Sequence, residues 1–137
     1  MTIKYDTQLI QTRVLFERIT GAEAKDCFQH SDRLLVVVQE GQMGKALGKN
    51  KANIRRLEQL LKRKIKIVEY NPEIMAFVQN LLAPLRADKI EEADGVVTLH
   101  VNDSQTKGYI IGARAQNLRR LEETVRQYFP IKEIKVN

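Results

Sequence analysis

The sequence predicts an α+β protein in which one small unit is used twice. Each copy is expected to run α-β-β-α-α-β, with helices packed on a three-stranded sheet. Three observations lead there. First, Gly44-Lys45-Ala46-Leu47-Gly48-Lys49-Asn50-Lys51-Ala52-Asn53-Ile54-Arg55-Arg56-Leu57-Glu58 recurs 64 residues later (108 − 44) as Gly108-Tyr109-Ile110-Ile111-Gly112-Ala113-Arg114-Ala115-Gln116-Asn117-Leu118-Arg119-Arg120-Leu121-Glu122. Both glycines, the Asn, both arginines, the Leu and the Glu align without a gap. Second, the residues around each copy switch between the period of a strand and that of a helix. Third, 137 residues suffice for one ordinary domain or two very small ones. A repeat this long decides for two, over 1–70 and 71–137.

The elements follow in order. Asp6 or Thr7 can cap a first helix, which Gly21 ends. Leu9, Ile10, Val14, Leu15, Phe16 and Ile19 give it a broad apolar stripe. Ala24 to Gln29 reads as a strand, His30-Ser31-Asp32 as a turn, and Arg33 to Gln39 as a buried strand around Leu-Leu-Val-Val-Val. Gln42 to Leu47 forms a short helix that stops near Gly48. Ala52 to Lys62 forms the next, with Ile54, Leu57, Leu60 and Leu61 along one face. Lys64 to Tyr70 alternates with period two, as a half-buried strand does.

The second unit opens on Asn71-Pro72-Glu73, a cap, a proline and a carboxylate suited to a helix start. Ile74, Phe77, Val78, Leu81, Leu82 and Leu85 form its stripe, and Pro84 limits it. Lys89 to Glu92 is a short strand, Ala93-Asp94-Gly95 a hairpin turn, and Val96 to Val101 a strand. Asn102 or Asp103 can cap the helix that ends at Gly112. Ala115 to Phe129 is a long helix stopped by Pro130, and Ile131 to Val136 is the last strand. No Ser/Gly/Pro-rich linker separates the two units.

Composition narrows the function. Hydrophobic residues make 43% of the chain and charged ones 29%, which is globular rather than disordered. No apolar run approaches the roughly 20 residues of a membrane span, and no signal-peptide pattern opens the chain. Cys27 is the single cysteine, which excludes an internal disulfide and a cysteine-rich zinc site. A reducing, cytoplasmic setting and no membrane partner are therefore expected. The net charge of +6 and pI near 9.5 admit a polyanionic partner. Much of that charge lies in one stretch, at Lys45, Lys49, Lys51, Arg55, Arg56, Lys62, Arg63, Lys64 and Lys66.

The doubled glycine stretch suits a phosphate. A glycine between two helices lets the backbone turn where a Cβ would clash. The amides that open the following helix are unpaired and carry partial positive charge. Lys49 and Lys51 reinforce this in the first loop and Arg114 in the second, while Ala113 and Ala115 leave room for a sugar-phosphate chain. Candidate contacts to such a polyanion are Gly44, Lys45, Gly48, Lys49, Asn50, Lys51, Asn53, Arg55 and Arg56. Their second-unit counterparts are Lys107, Gly108, Gly112, Ala113, Arg114, Ala115, Asn117, Arg119 and Arg120. Leu47, Ile54, Ile111 and Leu118 line a groove or belong to the core.

These loops resemble the GXXG loop of KH domains, which clamps about four nucleotides of single strand between two helices. The element order is that of the prokaryotic, type II arrangement, so two tandem type II KH domains are implied. Within that class the chain resembles the archaeal NusA-like transcription factors. Ala46-Leu47-Gly48, Asn53 to Glu58 and Val68-Glu69-Tyr70 carry the resemblance in the first unit. Ile111-Gly112 and Gln116-Asn117-Leu118-Arg119 carry it in the second. The resemblance implies single-stranded RNA binding in transcription elongation, termination or antitermination, with RNA polymerase a candidate partner and the chain a monomer. It implies no enzyme activity, no cofactor and no metal. A KH-type role on the ribosome or in RNA processing, and a protein-interaction module with degenerate loops, are the alternatives. The last glycine of GXXG is replaced by Lys51 and by Ala115, which is compatible with a right-handed αR start to the helix.

Other candidates are weaker. A phosphate-binding P-loop needs G-x-x-x-x-G-K-[ST], but three residues separate Gly44 from Gly48, and Asn50 stands at the hydroxyl position. His30 and His100 have no partner at metal-ligand spacing. Glu91, Glu92 and Asp94 read as solvated charge, and Cys27 as a small core residue. Tyr70 and Tyr109 can stack on bases, but core packing is the expectation for most aromatics at 6% of the chain.

Overall fold

A computed structural model describes residues 7–30 and 32–137, so the predicted cap at Asp6 and the middle of the His30-Ser31-Asp32 turn lie outside the described residues. The chain separates at Asn71 and Pro72 into two compact units.

In the first unit, α1 (Thr7–Thr20) is followed by β1 (Ala24–Gln29) and β2 (Leu34–Val38). Then come α2 (Met43–Leu47), a 3-10 turn over Lys49–Lys51, α3 (Ala52–Leu61) and β3 (Ile65–Glu69). The sheet order is β1-β2-β3. β1 pairs antiparallel with β2, with a register shift between Ala24 and Asp26. β2 pairs parallel with β3 from Leu34 opposite Ile65 to Val38 opposite Glu69. A tight turn cannot join parallel neighbours, so a crossover is required. α2, the turn and α3 are that crossover, which is why the Gly48 loop lies outside the sheet.

Strand period and helix period meet in one core. Leu34, Val36 and Val38 of β2 and Ile65 and Ile67 of β3 supply one side of it. Phe16 of α1, Ala46 of α2 and Leu57 of α3 supply the other. Cys27 joins them, as expected for a small core residue. Burial, ahead of the flanking charges, pushes its thiol up to about 11.

The second unit contains α4 (Ile74–Leu82), β4 (Lys89–Ala93), β5 (Val96–His100) and α5 (Ser104–Ile111). A 3-10 turn over Ala113–Ala115, α6 (Gln116–Arg126) and β6 (Glu133–Val136) complete it. The order β4-β5-β6 and the antiparallel-then-parallel pairing repeat those of the first unit. Asp94 and Gly95 both take positive φ (53° and 82°) between Ala93 and Val96, the geometry of a two-residue hairpin turn. Phe77 is fully buried and meets the Tyr128 ring edge-on, with centroids 5.2 Å apart.

Four boundaries differ from expectation by two residues or more. α4 begins at Ile74 with Glu73 as its N-cap, rather than Asn71, and the Glu73 side chain makes no capping bond. α4 stops at Leu82 rather than reaching Leu85. Ala83 precedes a proline, which disfavours helical backbone, and it adopts φ −52° and ψ 140°. α6 ends at Arg126, not Phe129, because Gln127 and Tyr128 bond back three residues to Thr124 and Val125 and tighten the chain before Pro130. β6 starts at Glu133, since the Lys132 amide bonds to Gly95 instead (2.6 Å). Asp103 is the α5 cap: its carboxylate accepts from the Thr106 amide (3.0 Å) and hydroxyl (2.6 Å). Those bonds, the hydroxyl's first, hold it below the ordinary carboxylate range.

Candidate nucleic-acid interface

Each loop is closed from the helix before it. The Gly48 amide bonds to the Gly44 carbonyl at 3.0 Å, and the Gly112 amide to the Gly108 carbonyl at 2.8 Å. Gly48 then takes φ 71° and ψ 174°, and Gly112 takes φ 75° and ψ 174°. That region is nearly closed to residues with a Cβ, so these glycines are required by backbone shape.

The next residues correct an expectation. Lys51 and Ala115 are left-handed, at φ 60° and ψ 27° and at φ 59° and ψ 23°, and not in the αR form. Asn50 and Arg114 before them are left-handed as well, at φ 55° in both cases. Two consecutive αL residues swing the chain from α2 into α3 within one turn. Each costs about 1–2 kcal/mol in a residue with a Cβ. The same geometry at both loops, without the second glycine, makes the loop form a common property of the two units.

Asn53 and Asn117 hold this geometry. The Asn53 Nδ2 donates to the Lys45 carbonyl at 2.9 Å, and the Asn117 Nδ2 donates to the Tyr109 carbonyl at 2.9 Å. Both side chains lie across the loop glycine from the following helix. The Arg55 guanidinium donates to the Asn50 carbonyl, steadying the first loop from its far side. Glu58 and Glu122 fix the other end of the unit. Their carboxylates accept from the Ile65 amide (2.9 Å) and the Ile134 amide (2.8 Å), tying helix to strand. The repeated Glu showed in the sequence, but its role did not.

The remaining candidates divide by exposure. Lys45, Lys49, Asn50, Lys51, Arg55 and Arg56 are exposed in the first unit. Ala113, Arg114, Asn117 and Arg119 are exposed in the second, with Lys107, Ala115 and Arg120 intermediate. Leu47 and Ile54 pack partly buried against the first core. Ile111 and Leu118 are likewise intermediate. Tyr109, expected to pack, is instead 59% exposed.

Gly44 and Gly108 stand apart from the loop glycines. They sit inside α2 and α5 with ordinary helical backbone, and a Cβ added to either would meet no atom within 4 Å. A helix-interior glycine costs roughly 0.5–1 kcal/mol against alanine. Nothing within the protein requires that cost. Both leave bare backbone on an exposed helix surface, one turn before the loop.

The loop amides expected to be unpaired are partly spent: those of Lys51 and Ala115 bond to the Gly48 and Gly112 carbonyls at 3.2 Å, and those of Ala52 and Gln116 to the Lys49 and Ala113 carbonyls. The arrangement therefore offers cations and a stripped helix face to an extended polyanion. Among the described residues, no group of three His, Cys, Asp or Glu side chains could hold a metal ion. His100 and Lys89 instead meet Glu91, at 3.3 and 2.6 Å. Among the described residues, no helix is long and apolar enough to cross a membrane.

Comparison with known proteins identifies the family. The KH domain family matches residues 12–94, from α1 through β4. "Probable transcription termination protein NusA" of Halobacterium salinarum is 33% identical over 138 residues, covering 99% of each chain. The protein of the same name from Methanococcus vannielii is 30% identical over 99% of this chain and 80% of its own. Among solved structures, the crystal structure of APE1850 is similar with a TM-score of 0.74 at 25% identity, over 96% of this chain and 99% of that one. By the family match and by these full-length relatives, the chain belongs to the KH domain family, beside archaeal proteins named as probable NusA.

Proposed function

We propose that the chain is a pair of tandem type II KH domains that binds single-stranded RNA without catalysis and acts on transcription termination or antitermination. The observation that carries this reading is the doubled loop. Two glycine turns of the same backbone shape each follow a helix with a bare glycine face and carry exposed lysine or arginine. That surface admits one sugar-phosphate backbone and the edges of unpaired bases. The relatives' name for a transcription termination protein supports the biological setting. The domains divide near the Asn71–Pro72 junction, and RNA polymerase is the protein partner this setting calls for.

The loops also speak against a protein-interaction module with lapsed loops. Both loops keep exposed cations, Lys49 and Lys51 in one and Arg114 in the other, and a loop with no polyanion to hold has no need of them.

Unstructured RNA should bind more tightly than a hairpin stem of matched length, and equal binding would refute the clamp. Lys49→Asp with Asn50→Asp should abolish most of that affinity. Stability should move by no more than about 1 kcal/mol, because carboxylates are tolerated on an exposed loop before a helix start. Loss of one phosphate contact should flatten the slope of log K against log salt by roughly 0.7. A folded variant carrying these changes and Ala113→Asp with Arg114→Asp, yet keeping wild-type affinity and slope, overturns the RNA reading.

A further inference from the structure

The two loops share a backbone but not a chemistry. Residues 7–71 hold 13 Lys and Arg against 7 Asp and Glu, a net +6 (13 − 7). Residues 72–137 hold 9 against 9, a net of zero (9 − 9). The chain's whole excess charge therefore belongs to the first unit.

The difference is sharpest at positions 45 and 109. Both backbone carbonyls accept the same bond from the loop asparagine, at 2.9 Å, so the two side chains leave from equivalent points. The first is an exposed lysine. The second is Tyr109, which is 59% exposed and whose hydroxyl receives a 3.4 Å bond from Gln105 Nε2, one turn back on α5. The ring stands three residues before Gly112, a rise of about 4.5 Å along the helix. A nucleotide with its phosphate on the Gly112 loop would bring its base within reach of that ring. Every base has a π-face, and stacking on an aromatic neutralises no phosphate and so adds nothing to the salt slope.

We propose that the two loops divide the work: the first holds phosphate through charge, while the second grips a base of single-stranded RNA by stacking on Tyr109. This rests on the RNA-binding reading above and adds a base-contacting residue to it.

The test uses the full chain and two probes of equal length: oligouridylate, and a ribose-phosphate chain without bases. Tyr109→Leu should weaken oligouridylate binding about tenfold, within the range for one stacked base. It should leave the salt slope and the affinity for the baseless chain unchanged, and Tyr109→Phe should restore binding. Lys45→Ala should weaken both probes and flatten the salt slope by roughly 0.7. Unchanged oligouridylate binding by Tyr109→Leu, or an equal loss on both probes, overturns the division while leaving RNA binding standing. Failure of the unaltered chain to bind oligouridylate overturns the RNA reading and this inference with it. Tyr109 is exposed, so the variants leave the core in place.

Discussion

A Cβ built on Gly48 would stand 2.7 Å from the Asn53 Nδ2, and one on Gly112 would stand 2.7 Å from the Asn117 Cγ. The loop glycine and its asparagine are one device. The glycine turns the chain, and the amide fills the space a side chain would need while bonding to the preceding helix. Gly48→Ala therefore meets both a disallowed backbone and a blocked site. It should destabilise the chain by at least about 2 kcal/mol, read as a lower urea midpoint. An alanine variant as stable as the wild type would show that the loop relaxes without cost.

The helix glycines should behave in the opposite way. Gly44→Ala and Gly108→Ala place a methyl in open space and remove a helix penalty, so each should raise stability by roughly 0.5–1 kcal/mol. The same methyl should obstruct an RNA backbone and weaken binding. Stabilisation with RNA affinity intact would mean that the bare backbone at these two glycines does not serve the ligand.

The left-handed residues predict a gain as well. Lys51→Gly and Ala115→Gly relieve αL strain of about 1–2 kcal/mol and add roughly 0.5–1 kcal/mol of unfolded-chain entropy. Each should raise stability modestly, by about 0.5–1 kcal/mol, at unchanged urea slope. The Lys51 change should also cost RNA affinity through its lost charge, whereas the Ala115 change should not. A destabilised Ala115→Gly variant would contradict the backbone geometry.

Cys27 gives a pH-dependent check on the first core. Its thiol is pushed up to about 11, mainly by burial, so the reactive thiolate is scarce in the folded chain at pH 8.5. Alkylation by iodoacetamide should be slow there, should rise as pH climbs towards 11, and should become fast at pH 8.5 once urea unfolds the chain. Equal rates with and without urea at pH 8.5 would place Cys27 outside the core.

Much of the architecture was legible because periodicity is a local consequence of burial. The buried run Leu34–Val38, the alternation at Ile65–Glu69 and the duplicated stretch required no knowledge of distant contacts. Helix ends were less legible, since Ala83, Gln127 and Glu73 are set by competing turn bonds and by prolines whose influence reaches a residue or two. The site shows the same division. Gly48, Gly112 and their basic neighbours announced themselves, because the twofold repeat exposed them as a unit. The backbone sign at Lys51 and Ala115 did not, because an L-residue is not marked in sequence as left-handed. Only the turn from one helix into the next within so few residues enforces it.

The sequence by itself determined the two α-β-β-α-α-β units, the glycine loops and the basic surplus, because local pattern and composition carry those properties. Only the tertiary structure decided that Asn53 and Asn117 brace the loops, that Glu58 and Glu122 tie helix to strand, and that Tyr109 stands in solvent. Each of these depends on which groups the folded backbone brings within bonding distance, and spacing along the chain does not encode that distance.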